Sequence, residues 1–213
     1  MILIRPSFSI MKITSDPLRL IEVAGRTCYK SEDRITAESS ERFVNMVTKR
    51  GHHSVIEHAI ATVKIVCDRG VTHELVRHRL CSFSQESTRY CNYAGGVTFV
   101  IPPWVKIDPG TYENKEYPRS KQISVSDLCW FVYMMDAEHE YKQLLHLGWS
   151  PEKARSVLPN STKTEIVVTA NVREWRHIFK LRCSKAAHPQ MREIMKPMLA
   201  EFKRRVPVIF DDL

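Results

Sequence analysis

Hydrophobic and polar positions along the chain follow two periods, and their boundaries coincide with capping and breaking residues. Asp16-Pro17 pairs a capping side chain with a proline at the first helical position, which predicts a helix through about Tyr29. A second helix is predicted over roughly 37–50, with Phe43, Val44 and Val47 on one face and Gly51 just past its end. Ser54-Val55-Ile56-Glu57 has the spacing of a capping box and predicts a short helix from Ser54. Residues 59–66, AIATVKIV, are rich in β-branched types and read as a strand. Val71 to about Arg79 reads as a helix, and residues 97–101, VTFVI, as a strand stopped by Pro102-Pro103. The stretch 104–123 is polar and turn-rich, which predicts a surface loop.

The longest predicted helix runs from Ser124 to Leu147 and is closed by Gly148. Ser150-Pro151 opens another, which Pro159 stops. Residues 163–172 form the third predicted strand, followed by helices over about 173–184 and from Pro189 to about Arg205, the latter bent at Pro197. Helices mixed with few, well-separated strands favour an α+β fold, with a central, mostly antiparallel sheet covered by helices. There is no internal repeat or low-complexity linker, and only seven glycines, so 1–213 reads as a single domain.

Composition narrows the class. Hydrophobic residues make up 43% and charged residues 26%, which suits a soluble globular protein and excludes disordered, collagen-like and coiled-coil chains. No apolar run approaches the ~20 residues of a membrane span. The start, MILIRPSFSIMKITSD, has a short apolar stretch without the marks of a leader, so a cytoplasmic protein with no membrane partner is expected. The six cysteines form no C-x-x-C pair, which points to reduced thiols and away from a zinc ribbon. The formal charge is +8, and residues 142–205 hold 14 Lys or Arg against 5 Asp or Glu. Such a surface attracts polyanions, either nucleic acid or a phosphorylated small molecule.

Three clusters carry candidate chemistry. The segment 73–90, HELVRHRLCSFSQESTRY, places Arg77, His78, Arg79 and Arg89 among hydroxyls. On a helix, Arg77 and Arg79 would lie about 200° apart, so one site can use both only where the helix ends. Guanidinium forks and hydroxyls in that setting suggest anion binding; a solvated basic helix end is the other reading. His52, His53, Glu57 and His58 form the second cluster, with a spacing that matches neither H-E-x-x-H nor H-x-x-E-H. No metal is expected there; a structural turn or the edge of a ligand site is. The third cluster, Asn171-Val172-Arg173 with His177 and Arg182, lies at a strand-to-helix junction suited to a nucleotide cofactor or to a solvated basic face. The chain has no G-x-S-x-G and no Rossmann or Walker glycine pattern. Arg interleaved with Ser, His and Asn favours a discrete pocket over a continuous basic stripe, so no nucleic-acid partner is expected.

Taken together the clusters resemble the flavin-dependent thymidylate synthases. Arg77-His78-Arg79, seven residues, then Ser87 is similar to the family's signature spacing. Gly51-His52-His53-Ser54-Val55-Ile56-Glu57-His58 resembles its G-H-x-[ST]-x-x-E-H segment, Ala154 to Pro159 its A-R-x-x-L-P segment, and Asn171 to Arg182 its N-x-R…H…L-R segment. The order agrees over about residues 20–200. The resemblance implies the family's fold and the reductive methylation of dUMP to dTMP. Methylenetetrahydrofolate would be the carbon donor, and NADPH the reductant through bound FAD. It also implies a homotetramer with sites shared between subunits.

Carried over by position, the resemblance implies that Arg77, His78 and Arg79 contact the flavin and its diphosphate, with Arg77 also near the nucleotide. His52, Ser54 and Glu57 would line the flavin, and Asn171, Arg173 and His177 would hold FAD from another subunit. Glu86, Ser87, Thr88 and Arg89 would grip dUMP, Arg155 would bind it from a neighbouring chain, and Arg182 would be catalytic, also contacting the uracil. Members often carry Gln where Glu74 stands and Asn-Glu where Ser84-Gln85 stands. The same mapping gives Glu74 a place at the substrate and Gln85 one at the cofactor. A carboxylate at Glu74 would repel a phosphate unless an arginine paired with it.

Overall fold

The computed structural model describes residues 1–113 and 123–213. The α+β class read from the element order is what the structure has, and its strands fall into two sheets. The contacts group the chain into two compact units, described in turn.

The first unit comprises Met1–Ser7, Ile65–Arg77 and Ser84–Ile166. Its three-stranded sheet contains β1 (Ile2–Ile4), β5 (Thr98–Val100) and β6 (Gly110–Thr111), in the order β5-β1-β6. β1 runs parallel to β5, with Leu3 opposite Phe99, and antiparallel to β6. Leu3, Phe99, Ile101 and Ile107 from this region bury against Phe131, Met134 and Tyr141 of α4 (Val125–His146). Helix α4 starts where Ser124 predicts: its hydroxyl accepts from Asp127 N, and the Asp127 carboxylate accepts from Ser124 N. Gly148, at φ 87°, supplies the left-handed turn beyond the helix that a side chain would resist. The remaining helices are α3 (Arg69–Leu75) and α5 (Pro151–Ala154), the latter continued by a 3₁₀ turn over Arg155–Val157.

The second unit comprises Phe8–Lys64, His78–Phe83 and Val167–Leu213. Its helices are α1 (Pro17–Thr27), α2 (Ser39–Lys49), α6 (Val172–Arg182) and α7 (Pro189–Arg205). Asp16 caps α1 by accepting from Arg19 N. Trp175 and Phe179 of α6, Phe202 of α7 and Phe210 pack with ring centroids 5.1–5.9 Å apart. Trp175 Nε1 donates to Ala61 O at 3.1 Å, which satisfies the one polar atom of a buried indole. Helix α7 runs on through Pro197, where a bend was expected.

The four-stranded sheet has the order β2-β3-β7-β4, built from β2 (Ser7–Ile13), β3 (Ile60–Asp68), β7 (Lys163–Asn171) and β4 (Ser82–Gln85). Strands β3 and β7 alternate buried and half-buried positions, so Ala61, Val63, Ile65 and Cys67 line one face of β3. On the other face of the pair Thr62 and Thr169 hydroxyls meet at 2.9 Å.

Several boundaries differ from those predicted. Helix α3 begins earlier because Asp68 caps it, accepting from Val71 N, and it ends at Leu75 instead of near Arg79. Arg77, His78 and Arg79 therefore lie in the turn beyond the helix. The helix expected from Ser54 is a 3₁₀ segment, His53–His58, with no side-chain cap. Strands β1, β2, β4 and β6 were not anticipated, and β6 falls inside the expected surface loop, of which residues 114–122 lie outside the described residues. β2 and β4 sit at the two ends of their sheet and bury no residue fully, so backbone pairing, more than side-chain burial, makes them strands.

Replacing the fully buried Phe202 by alanine removes the ring shared by three aromatic neighbours. We expect a loss of about 3–5 kcal/mol in stability, read from urea unfolding.

Candidate active site

Within the second unit, helix α6 organises the charged groups. Asn171 caps it: its side-chain oxygen accepts from Glu174 N at 2.8 Å. Val172 N donates to Ala59 O, which ties the start of the helix to the end of the 3₁₀ segment. Arg173 Nη1 then reaches Glu57 Oε1 of that segment at 2.5 Å. Glu57, read from the sequence as a capping partner for Ser54, thus pairs with Arg173.

At the other end of α6, Arg182 Nε donates to His78 Nε2 at 3.0 Å. Glu174 Oε1 stands 3.3 Å from Nδ1 of the same ring, and the His177 ring meets it edge-on, with centroids 5.6 Å apart. His78 is 5% exposed, whereas Arg77 and Arg79 on either side of it are exposed. Burial, the Arg182 charge and His177 together push His78 down to about 4. The ring is thus neutral and presents a lone pair to Arg182. Burial raises the Glu174 carboxyl above its ordinary value, against the opposing pull of His177 and Arg173.

Among the described residues, His78, Glu174 and His177 are the group whose donor atoms lie close enough for a metal, within 4.8 Å of one another. The donor set does not suit one. His78 Nε2 already accepts from a guanidinium, whose charge would repel a cation at that nitrogen. Cys81, in the same stretch, is pushed up to about 12 by burial and the Glu174 charge, so at neutral pH it is a thiol and not a thiolate nucleophile.

A cavity of about 1050 Å³ opens between α1, α2 and the 3₁₀ segment. His52 and Ser54 line it together with Arg34, Arg42 and Arg50, and Tyr29 and Phe43 supply aromatic surface. Guanidinium forks suit phosphate oxygens, and flat rings suit a heterocycle. The chemistry of this lining fits a flavin dinucleotide. Arg26, which also lines it, comes from α1, Arg34 from the connection after it, and Arg42 and Arg50 from α2 and its end, so only the packing of these elements brings the four guanidinium groups to one space.

The first unit holds the second group of expected residues. Ser87 opens a turn, its carbonyl accepting from Tyr90 N and Cys91 N, and Arg155 Nη1 donates to the buried Thr88 hydroxyl at 3.1 Å. Arg155 and Thr88 therefore meet within one chain. Arg89 pairs with Glu152 at 3.2 Å in an exposed contact.

Two further residues expected at the ligands have partners within this unit. The Glu86 carboxylate accepts from Tyr93 Oη at 2.7 Å and Lys163 Nζ at 3.0 Å, and its N–H donates to Glu165 O. Burial opposes the Lys163 charge, but the Glu165 and Glu86 carboxylates outweigh it and hold the ammonium above its ordinary value. The Gln85 amide donates to Thr72 and Thr164 hydroxyls, which brace it within its unit. Glu74 is half-buried near the end of α3.

The His78 shift fixes a pH dependence. The unfolded ring takes a proton near 6.5 and the folded ring only near 4, so in that window the unfolded chain binds more protons. Its contribution to stability is full above 6.5 and is lost as pH falls toward 4. The melting temperature of the wild-type chain is expected to drop more steeply over this window than that of His78→Gln.

Comparison with known proteins bears on the same residues. The family described as thymidylate synthase complementing protein matches residues 9–208. A flavin-dependent thymidylate synthase of Geobacter sulfurreducens is 35% identical over 211 residues, covering 96% of this chain and 85% of that protein. One from Pyrococcus furiosus is 34% identical, covering 92% and 79%. Among solved structures, a UMP/dUMP methylase from Streptomyces cacaoi bound with 5-Br dUMP superposes with a TM-score of 0.77 at 26% identity, covering 99% of this chain and 96% of that one. The family match and these relatives agree: the chain belongs to the flavin-dependent thymidylate synthases.

Proposed function

We propose that the chain, acting over 1–213 as one synthase domain, reductively methylates dUMP to dTMP. FAD is the resident cofactor, methylenetetrahydrofolate the carbon donor and NADPH the reductant. The observation that carries this reading is the bond from Arg182 to His78, which joins two segments of the family pattern 104 residues apart. The active form is a homotetramer whose sites draw on several copies, as the resemblance implies.

When bound, the flavin supplies the hydride chemistry that the protein side chains lack. Arg34, Arg42 and Arg50 would hold its pyrophosphate, and His52, Ser54, Tyr29 and Phe43 would supply hydrogen-bonding and aromatic surface for the rest of it. Thr88, the Ser87 turn and Arg155 receive the nucleotide phosphate; a neutral hydroxyl cancels none of the Arg155 charge. Arg182 stabilises the negative charge that develops as the uracil ring nitrogen loses its proton. His78 holds that guanidinium by accepting from it, and its neutrality avoids setting one cation against another. Cys81 takes no part as a nucleophile, since it keeps its proton.

The neighbour named a UMP/dUMP methylase raises the ribonucleotide as a second substrate. Titrating dUMP, UMP, dCMP and dTMP against the purified protein separates these readings. The expected result is tightest binding of dUMP by a yellow protein with flavin absorbance, and dTMP formation that requires NADPH and methylenetetrahydrofolate. A colourless preparation that takes up no FAD overturns the proposal. Arg182→Ala is expected to lower turnover by about 100- to 1000-fold while the chain still folds. Cys81→Ala is expected to remain active in the same assay.

A further inference from the structure

The ring that holds Arg182 has two possible protonation sites when neutral, and only one of them allows the observed bond. An Nε2–H tautomer would point a hydrogen at the guanidinium, donor against donor. With the proton on Nδ1, Nε2 is left as the acceptor that Arg182 Nε meets at 3.0 Å. The group facing Nδ1 is the Glu174 carboxylate, 3.3 Å away. It is buried, on the third residue of α6, two turns before Arg182 on the same helix. A carboxylate at that distance favours the proton on Nδ1 and disfavours the lone pair there. His177 lies against the ring edge-on and is exposed to solvent, so it does not replace Glu174 in this position.

We infer that Glu174 is a positioning residue for the reaction: it fixes the His78 ring in the Nδ1–H tautomer, and the ring in turn fixes Arg182. This rests on the role of Arg182 in the proposed function. Glu174 itself need touch neither nucleotide nor flavin. The logic is that of any imidazole whose working nitrogen is set by what the other nitrogen faces.

The test compares Glu174→Ala and Glu174→Gln with the wild-type chain. The first readout is the ¹⁵N chemical shifts of labelled histidine side chains, with His78 assigned from its loss in His78→Gln. The wild-type ring is expected to be protonated at Nδ1. In Glu174→Ala it shifts toward the Nε2–H form, while Glu174→Gln, which keeps an oxygen facing Nδ1, retains the wild-type state. The second readout is kinetic. Glu174→Ala lowers kcat by about 10- to 100-fold, the scale of a mispositioned catalytic group, with little change in KM for dUMP. Glu174→Gln recovers most of the rate. An Ala variant that is folded by thermal melting and keeps both the wild-type ring state and kcat overturns the inference, as does a Gln variant as slow as Ala. The ring readout needs no turnover. A wild-type chain inert toward dUMP therefore overturns the functional reading, while a Glu174-dependent ring state still supports this one.

Discussion

The bond between Arg182 and His78 constrains more of this chain than its single hydrogen suggests. Arg182 is the last residue of α6, and the helix is a rod of 11 residues, about 16 Å long. Its start is pinned by the Asn171 cap, by Val172 N on Ala59 O, and by the Trp175 indole on Ala61 O. Once the start is fixed, helical geometry dictates where residue 182 emerges and in which direction. Inserting one residue anywhere in the helix would turn Arg182 by about 100° away from the imidazole. The aromatic packing of Trp175 and Phe179 against Phe202 and Phe210 keeps the rod from rotating about its own axis.

The imidazole end of the bond depends on a different device. Helix α3 stops at Leu75, and the chain then turns so that His78 is buried while Arg77 and Arg79 stay exposed. A helix carried on to Arg79 would have spread the three side chains around a cylinder. The early stop lets consecutive residues differ: two exposed cations flank one buried, neutral ring.

Local chemistry made much of this legible. The Ser124 capping box, the Asp16-Pro17 start and the glycines after α2 and α4 are signals written within a few residues, and the helices begin or end there. The alternation in β3 and β7 is equally local. Strands β2 and β4 were not legible, because edge strands answer to a partner backbone distant in sequence. For the site, the residue types in four short segments pointed to a family, but their partners did not follow. Glu57 has the spacing of a capping partner and instead meets Arg173, 116 residues away. Glu86 stands inside a motif, yet its carboxylate is taken by Tyr93 and Lys163. Glu174 is an acidic residue in a first helical turn, and only the fold sets it against His78. Sequence order pointed to segments; the assignment of each polar atom to a partner required coordinates.

The cavity between α1 and α2 has an energetic corollary. Four guanidinium groups line one space in the second unit, and like charges so confined raise the free energy of the folded chain relative to the unfolded one, where they are far apart. A polyanionic occupant removes that repulsion and binds only the folded form, so its free energy of association adds directly to folding stability. The abundance of intact protein then becomes coupled to the supply of what fills the cavity. A cell short of that molecule would carry more unfolded chain and clear it faster, without any change in synthesis.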